Sequence, residues 1–325
     1  MTPMLVPVLD VTALRTPGAD MRPVADQIGA ACREHGFFCV VGHGIDPVLE
    51  ASLERAAQDF FALPVEEKMR IAMQHGGRAW RGYFPVGAEL TSGKPDRKEG
   101  IYFGSELAAT DPRVLARTPM HGANLFPTSP PELREAVLEY IEAMTSLGHA
   151  VLRGIALSLG LNADYFATSC ARDPLLLFRV FHYPAVTTSE DATWGVGEHT
   201  DYGLITLLKQ DEVGGLEVKH NGRWNSVPVV PGAFVCNLGD MLDRMTRGLY
   251  VSTPHRVVAP RTRDRLSFPF FFDPSYDARV EPIDGIAPPT ATRAHRWDDL
   301  DLDALDGTYG AYLTAKVAKV FPSLG

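Results

Sequence analysis

Between Leu175 and Phe272 the apolar residues recur with the period of strands rather than helices. Short apolar runs are separated there by Gly, Asn, Asp and Pro, a pattern that is typical of a β-rich core. The clearest hairpin runs from Gly215 to Val229 around Asn221-Gly222, a dipeptide that tolerates the two positive φ angles of a type I′ turn. The stretch therefore predicts packed β-sheets at the centre of the molecule.

Helices are predicted on both sides of this β-rich stretch from their N-caps, first-turn prolines and apolar periodicity. The predicted helices cover residues 22–35, 46–61, 129–160 and 308–320, and two short strands cover 6–11 and 37–41. No repeat or flexible linker separates these elements. We therefore expect one integrated unit, a helix-flanked β-sandwich of mixed α/β class with a mainly β core.

Residues 76–104 stand apart because they are rich in glycine, proline and charge and show little periodicity. This composition predicts a loop or lid. Its charged and aromatic side chains are interpreted either as contacts to polar groups of a substrate or as solvated loop residues. They are Arg81, Tyr83, Lys94, Arg97, Lys98, Glu99 and Tyr102.

Composition limits the classes of molecule that the chain is expected to bind. The 325 residues carry a formal net charge of -9 and no basic stripe, so nucleic acid is not expected and a small-molecule substrate is. No apolar run is long enough to span a bilayer, and no secretory leader is evident. The scattered cysteines fit reduced, buried thiols, so we expect a cytoplasmic protein; the oligomeric state stays open, with a monomer compatible. The cysteines are Cys32, Cys39, Cys170 and Cys236.

Two histidines and one aspartate form the strongest candidate site. His199 and Asp201 are two residues apart, so on a strand both side chains face the same way. His255 follows 54 residues after Asp201, at the start of another strand-like run that antiparallel pairing could bring back. Two imidazoles and a carboxylate are the facial triad of non-haem Fe(II) oxygenases, which leaves positions open for O2 and an organic partner.

A possible anion clamp follows the second histidine. Arg265 and Ser267 share a strand face, and a guanidinium beside a hydroxyl is suited to binding a carboxylate. The alternative is a structural ion pair of Arg265 on the sheet. Continuing the alternation places Phe271 on the same face as a candidate wall of a substrate pocket, with ordinary core packing as the alternative.

On these motifs the chain resembles the isopenicillin N synthase-like branch of the Fe(II)- and 2-oxoglutarate-dependent oxygenases. The resemblance covers nearly the whole length and includes Gly36-Phe37-Phe38, His182-Tyr183-Pro184 and Asn237-Leu238-Gly239-Asp240. It implies a double-stranded β-helix, or jelly roll, flanked by helices. Its regions would be an N-terminal α/β part (1–115), buttressing helices (116–174), the catalytic core (175–275) and a C-terminal extension with a helix (276–325).

The resemblance also implies roles for single residues. His199, Asp201 and His255 would bind Fe(II), while Arg265, Ser267 and the Tyr183 hydroxyl would hold 2-oxoglutarate. Apart from the resemblance, Leu204 and Thr206 are interpreted as continuing the strand face of His199 and Asp201, where Leu204 would contact 2-oxoglutarate or substrate. Phe181 departs from related plant enzymes, which often have asparagine at that position. The candidate side chains are thus His199, Asp201, His255, Arg265, Ser267, Tyr183, Leu204 and Phe271.

The implied reaction is the O2-dependent hydroxylation, desaturation or cyclisation of a small molecule, with a role in specialised metabolism. It would be coupled to the decarboxylation of 2-oxoglutarate to succinate and CO2. One alternative is an iron oxidase of the isopenicillin N synthase type, in which Arg265 and Ser267 clamp a carboxylate of the substrate and no keto acid is used. A second is a non-catalytic jelly roll whose triad holds zinc, because zinc accepts the same ligand types.

Overall fold

The computed structural model describes residues 6–186, 194–289 and 296–321. Its helices are α1 (Thr12–Arg15), α2 (Arg22–Glu34), α3 (Pro47–Phe61), α4 (Val65–Lys68), α5 (Pro112–Leu115), α6 (Glu132–Ser158), α7 (Tyr165–Thr168), α8 (Asp240–Met245) and α9 (Tyr309–Val320). Its strands are β1 (Val8–Asp10), β2 (Phe37–Val41), β3 (Gly82–Phe84), β4 (Leu90–Thr91), β5 (Lys94–Pro95), β6 (Glu99–Gly104), β7 (Leu175–Tyr183), β8 (Trp194–His199), β9 (Ile205–Gln210), β10 (Leu216–His220), β11 (Arg223–Ser226), β12 (Phe234–Leu238), β13 (His255–Val258) and β14 (Arg265–Asp273).

Two sheets form the centre of the molecule. The major sheet has eight strands in the order β1-β2-β12-β9-β14-β7-β6-β3, and the minor sheet has four in the order β11-β10-β13-β8. Strands from the start of the chain, β1 and β2, continue the sheet that β9, β12 and β14 build near its end. This mainly β core flanked by helices confirms the predicted jelly-roll class.

The hairpin of the minor sheet forms where the sequence predicts it. His220 and Arg223 face each other at the end of the β10 and β11 pair. Asn221 and Gly222 between them have φ angles of 50° and 74°, as a type I′ turn requires. This turn fixes the register between β10 and β11. On its other side, β10 pairs with β13.

The helices also begin and end close to their predicted positions. Asp46 caps α3 by accepting a hydrogen bond from the Val48 amide at 2.8 Å, and Thr308 caps α9 by accepting one from Ala311 at 3.3 Å. The long helix α6 is amphipathic and buries one face against the rest of the core. Among the described residues, we find no helix whose length and hydropathy would let it cross a bilayer.

The prediction of a loop or lid over residues 76–104 is wrong for residues 82–84 and 99–104, whereas residues 85–98 between them form turns and the two-residue strands β4 and β5. Strands β3 and β6 lie within residues 76–104 and extend the major sheet, with β6 paired along its whole length to β7. Every residue of β6 is buried. The charges that suggested a solvated loop are neutralised inside the protein, because Lys98 forms ion pairs with Glu89 and Asp96 and Lys68 forms one with Glu99.

Candidate active site

The antiparallel pairing of β8 and β13 brings the two candidate histidines together. His199 ends β8, His255 begins β13, and the two residues are direct partners in the register. Asp201 follows His199 in the turn after β8. Its Oδ1 lies 3.7 Å from His255 Nε2 and 4.0 Å from His199 Nε2. One ligand atom from each residue thus lies within 4.8 Å of the other two, close enough to share one ion.

The second nitrogen of each imidazole fixes which atom faces this point. The Nδ1 atom of His199 lies 2.9 Å from the Gly197 carbonyl oxygen, and that of His255 lies 3.2 Å from the Thr253 carbonyl oxygen. A carbonyl only accepts, so each Nδ1 carries the proton and donates it. Each Nε2 therefore keeps its lone pair, as a metal ligand must.

The carboxylate of Asp201 is oriented in the same way. Its Oδ2 accepts hydrogen bonds from Thr206 on β9 and, at 2.7 Å, from the Asn237 amide on β12. The donors occupy Oδ2 and leave Oδ1 toward the histidines. Strands β9 and β12 are neighbours, and Asn237 and Thr206 are direct partners, so the major sheet positions a ligand that follows a strand of the minor sheet.

Burial and charge set the protonation of the site. Burial, together with the neighbouring His255, lowers the pKa of His199 to about 4, so this imidazole is neutral at neutral pH. Burial acts to raise the pKa of Asp201, but His255 and His199 and the hydrogen bonds to Oδ2 outweigh it and the net shift is downward. A neutral imidazole and an ionised carboxylate are the forms that bind a divalent metal.

The three residues open into a cavity of about 330 Å³ that both sheets and helix α9 line. Strand β14 supplies one wall, in the alternation that the sequence predicts. Arg265, Ser267, Pro269 and Phe271 line the cavity. The residues between them are buried in the core instead, namely Leu266, Phe268, Phe270 and Phe272.

Arg265 is fully buried in this wall and incompletely hydrogen-bonded. Its Nε donates to the Gly214 carbonyl oxygen, but both terminal nitrogens lack a partner. Tyr183 lies opposite Arg265 in the pairing of β7 with β14, and the guanidinium carbon is 4.8 Å from its ring centroid. A buried cation with two free donors is costly unless an anion joins it.

Comparison with known proteins identifies the family. A family model described as the 2OG-Fe(II) oxygenase superfamily matches residues 174–274, and one described as non-haem dioxygenase in morphine synthesis N-terminal matches residues 6–129. The "Probable iron/ascorbate oxidoreductase" of Dictyostelium discoideum is 47% identical, over 93% of this chain and 90% of the relative. The chain belongs to the 2OG-Fe(II) oxygenase superfamily.

Two further relatives extend the comparison. A homoarginine-6-hydroxylase of Oryza sativa subsp. japonica is 41% identical, over 82% of each protein. A full-length Neurospora crassa protein, crystallised with alpha-KG (2-oxoglutarate) and 5-formyluracil, superposes with a TM-score of 0.79 at 26% identity. The superposition covers 97% of this chain and 96% of that one. This oxygenase is therefore a non-haem dioxygenase that uses Fe(II) and 2-oxoglutarate.

The donor set of the cavity fits both groups. The free Nε2 atoms of the two histidines and Oδ1 of Asp201 form the iron triad, and the unpartnered nitrogens of Arg265 suit the far carboxylate of a keto acid. Tyr183, Ser267 and Phe181 line the same cavity. Phe181, at the position where related plant enzymes often have asparagine, lies with its ring centroid 4.8 Å from Lys98 Nζ.

Leu204 does not occupy the position that the sequence predicts. Alternation from Asp201 reaches residues 203 and 205 rather than 204, and a bend over residues 202–204 also separates Asp201 from β9. Gly203 makes the bend possible, because a Cβ there would lie 1.6 Å from Asp273 Oδ1. Leu204 is buried in the hydrophobic core and is absent from the cavity wall, which Thr206 lines instead.

The sequence interpretation overlooked two groups of residues. Arg179 lies on the same face of β7 as Tyr183 and lines the cavity, and the period-two alternation from Tyr183 could have found it. The C-terminal segment also reaches the cavity, with the Trp297 indole and several side chains of α9. No motif marks that segment, and only the packing of α9 against the core brings it to the site.

Proposed function

We propose that this dioxygenase oxidises a carboxylate-bearing small molecule, with Fe(II) on His199, Asp201 and His255 and 2-oxoglutarate on Arg265, Ser267 and Tyr183. The observation that carries the proposal is the set of atoms left without partners. Two Nε2 atoms and Oδ1 converge within 4.8 Å, and the Arg265 guanidinium has two free nitrogens. In the proposal, the metal binds the first set of atoms and the keto acid binds the second.

The bound iron and 2-oxoglutarate supply the O2-dependent oxidation of a C–H bond, while 2-oxoglutarate becomes succinate and CO2. The residues of this chain act on position and protonation. The backbone carbonyls of Gly197 and Thr253 hold the imidazole protons on Nδ1, and Asn237 and Thr206 turn Asp201 Oδ1 toward the metal. Arg265 fixes the far end of the keto acid and compensates its charge.

Phe271 is proposed to form an apolar wall for the substrate. It lines the cavity two residues beyond Pro269 and pairs in register with Thr206, the residue that orients Asp201. A substrate lying on this ring is therefore near the metal ligands. The name of the homoarginine-6-hydroxylase relative refers to an amino acid, and amino acids carry a carboxylate. This supports a carboxylate-bearing small molecule as the substrate. Hydroxylation, desaturation and cyclisation are all compatible with this site, and a role in specialised metabolism belongs to the same proposal.

We also propose that the regions 1–115, 116–174, 175–275 and 276–325 work as one catalytic unit. The pairing of β2 with β12 and of β6 with β7 supports this, because strands of the first region share a sheet with the core. A reducing, cytoplasmic location is supported by four cysteines that are all free and buried. The negative net charge supports a small-molecule ligand rather than nucleic acid.

The proposal is tested by measuring O2 uptake and succinate formation with Fe(II), 2-oxoglutarate and a panel of amino acids and small carboxylic acids. We expect O2 uptake to require both Fe(II) and 2-oxoglutarate, with one succinate formed for each O2 consumed. A substrate-dependent O2 uptake that proceeds equally without 2-oxoglutarate would favour the oxidase alternative. A protein that purifies with zinc and consumes no O2 after exchange to Fe(II) would contradict the proposal.

A further inference from the structure

The cavity contains a second arginine that the iron and 2-oxoglutarate leave unused. Arg179, in β7, lines the cavity, and its buried Nε has no hydrogen-bond partner. The nearest carboxylate oxygen is Oε1 of Glu89, 3.9 Å from the Arg179 NH1 atom and so beyond hydrogen-bond distance. A guanidinium with an unused donor in a ligand cavity is a candidate anion site.

Glu89 is engaged by other groups. Its Oε1 accepts a hydrogen bond from the Tyr102 hydroxyl at 2.6 Å, and its Oε2 forms an ion pair with Lys98 Nζ at 2.9 Å. These contacts hold the carboxylate away from Arg179. Glu89 thus forms a 3.9 Å ion pair with the Arg179 guanidinium but does not accept a hydrogen bond from it.

Two aromatic rings fix the guanidinium. The Arg179 Cζ atom lies 4.1 Å from the ring centroid of Tyr102 and 4.6 Å from that of Phe271. Contacts with the faces of the rings restrict the plane of the fork and leave its edge for hydrogen bonds. Because Phe271 is also the proposed substrate wall, a molecule lying on that ring would present its polar end to Arg179.

Arg179 and Arg265 lie at different places along the cavity wall. Arg265 is opposite Tyr183, and Arg179 precedes Tyr183 by four residues, a distance of about 13 Å between Cα atoms in a strand. On the neighbouring strand, Phe271 is opposite Leu177, so Arg179 lies at the Phe271 side of the cavity. The two side chains therefore start from different places along the cavity wall, Arg265 beside Tyr183 and Arg179 beside Phe271.

Arg256 shows what a purely structural arginine looks like in the same fold. Its side chain is 15% exposed, as is that of Arg179, and its Cζ also lies over two rings, 3.6 Å from the centroid of Trp194 and 3.9 Å from that of Trp224. However, Nε and NH2 of Arg256 are each 2.7 Å from Glu217 Oε2, and Arg256 is absent from the cavity wall. Burial and ring contacts alone do not leave an arginine unpartnered.

We propose that Arg179 binds a carboxylate of the oxidised substrate and so selects small carboxylic acids, with the substrate body on Phe271 and its reacting carbon toward the iron triad. This inference rests on the proposed function, since it needs the substrate at Phe271. The planar fork matches the two oxygens of a carboxylate. A primary amide of the same shape has one acceptor oxygen and no charge, and binds more weakly.

The test is an NMR titration of the arginine Nε–H signals in the full chain, loaded with Zn(II) in place of Fe(II) and with 2-oxoglutarate. The Arg179 signal is assigned by its absence from Arg179→Lys, and the Arg256 signal by its absence from Arg256→Lys. The probes are acetate, L-alanine and L-homoarginine, each compared with its primary amide, and inorganic phosphate. We expect the acids to shift the Arg179 signal, the amides to shift it far less, and the Arg256 signal to stay in place.

Affinity measurements on variants complete the test. For the acid with the largest shift, Arg179→Gln and Arg179→Lys are expected to raise the dissociation constant about tenfold or more, because the paired charged hydrogen bonds are lost. Arg256→Lys is expected to leave it unchanged. The affinity for 2-oxoglutarate is expected to be the same in all variants. Arg179→Lys keeps the positive charge. Its thermal unfolding temperature, compared with that of the wild type, shows whether a loss of binding is due to a loss of folding.

Three outcomes would overturn the inference. They are an Arg179 signal that no acid moves, one that acids and amides move equally, and one that responds to phosphate alone. If 2-oxoglutarate binds the wild-type protein and Arg179 does not respond, only this inference fails. If 2-oxoglutarate itself does not bind, the proposed function fails and this inference fails with it.

Discussion

The metal end and the Arg265 end of the cavity differ in how completely their polar atoms are hydrogen-bonded. At the metal end, both imidazole Nδ1 atoms and Asp201 Oδ2 have partners, and the atoms left free are those that face the ion. At the other end, both terminal nitrogens of Arg265 are buried without partners. The protein itself orients the three candidate metal ligands, whereas the Arg265 end has two donors that the described residues do not satisfy.

The difference has an energetic consequence. Hydrogen bonds that hold the metal ligands are already formed before the metal binds, so little ordering remains to be done. The buried guanidinium of Arg265 has given up hydration and regained a hydrogen bond only at Nε, so its two terminal nitrogens carry a cost that a carboxylate ligand would remove. Changes at the metal end should therefore reduce catalysis directly, while changes at Arg265 should separate ligand affinity from the stability of the unliganded protein.

The largest effect is expected from the metal end. His199→Ala removes one of three ligands, and we expect turnover to fall about a thousandfold or more, equal to about 4 kcal/mol in activation free energy. Bound iron, measured by elemental analysis, should fall with it. His220→Ala, on the same sheet but absent from the cavity wall, is the matched control and should keep both. Undiminished turnover in His199→Ala would remove His199 from the metal site.

Arg265→Gln tests the other end. Loss of two charged hydrogen bonds should weaken 2-oxoglutarate about a hundredfold, close to 3 kcal/mol, measured as the concentration that half-saturates succinate formation. The free energy of unfolding without ligand should change by no more than about 1 kcal/mol, because the lost cation was unpaired. The variant could instead lose much of its stability without ligand and keep its 2-oxoglutarate affinity. Arg265 would then be a structural residue, and the two ends of the cavity would not differ as described.

Asp273 is a buried acidic residue on the same sheet as Arg265. Burial raises its pKa to about 7, although the hydrogen bond from Tyr309 and the charge of Arg179 oppose this. The folded protein therefore holds the proton to a higher pH than the unfolded chain, whose carboxyl group ionises near 3.8. Stability from this group is complete below about pH 4 and is lost as the pH rises toward 7.

Asp273→Asn should remove this pH dependence. In metal-free protein, urea unfolding between pH 4 and pH 7 should show the wild type losing on the order of 2 kcal/mol relative to the variant. The asparagine oxygen keeps an acceptor for Tyr309, whose hydroxyl is 2.6 Å from Asp273 Oδ2. Parallel stability curves for the two proteins would show that Asp273 is ionised throughout this range.

The sequence predicts the iron triad well because the triad depends on strand geometry. The i, i+2 spacing of His199 and Asp201 and the antiparallel return of His255 need only two paired strands, and the structure has His199 opposite His255. The alternation along β14 is equally local, so the cavity face from Arg265 to Phe271 is predicted correctly. The prediction for Leu204 is wrong because residues three apart on a strand face opposite ways, and because a bend interrupts the strand between Asp201 and β9.

Long-range packing explains the remaining errors. Lys98 and Glu99, beside the apolar run of β6, make this strand resemble a charged loop in the sequence. Their burial depends on ion pairs of Lys98 with Glu89 and of Glu99 with Lys68, which alternation along the strand does not reveal. Alternation from Tyr183 places Arg179 on the cavity face, but its unpartnered Nε depends on the packing around it and is not visible in the sequence. The contribution of α9 follows from tertiary packing, which no local pattern encodes.

The smallest effect is expected from the hydrogen bonds behind the metal ligands. Asn237→Ala leaves Asp201 Oδ2 with Thr206 as its remaining side-chain donor, so the carboxylate is less firmly turned toward the ion. We expect Fe(II) affinity to fall about tenfold, the lower end of the range for such supporting residues, with little change in 2-oxoglutarate affinity at saturating iron. Asn225→Ala, whose amide bonds to the Arg223 carbonyl on the minor sheet, is the control and should bind iron normally. If Asn237→Ala weakened 2-oxoglutarate rather than iron, the metal end would also depend on its ligand for order, and the two ends would not differ as described.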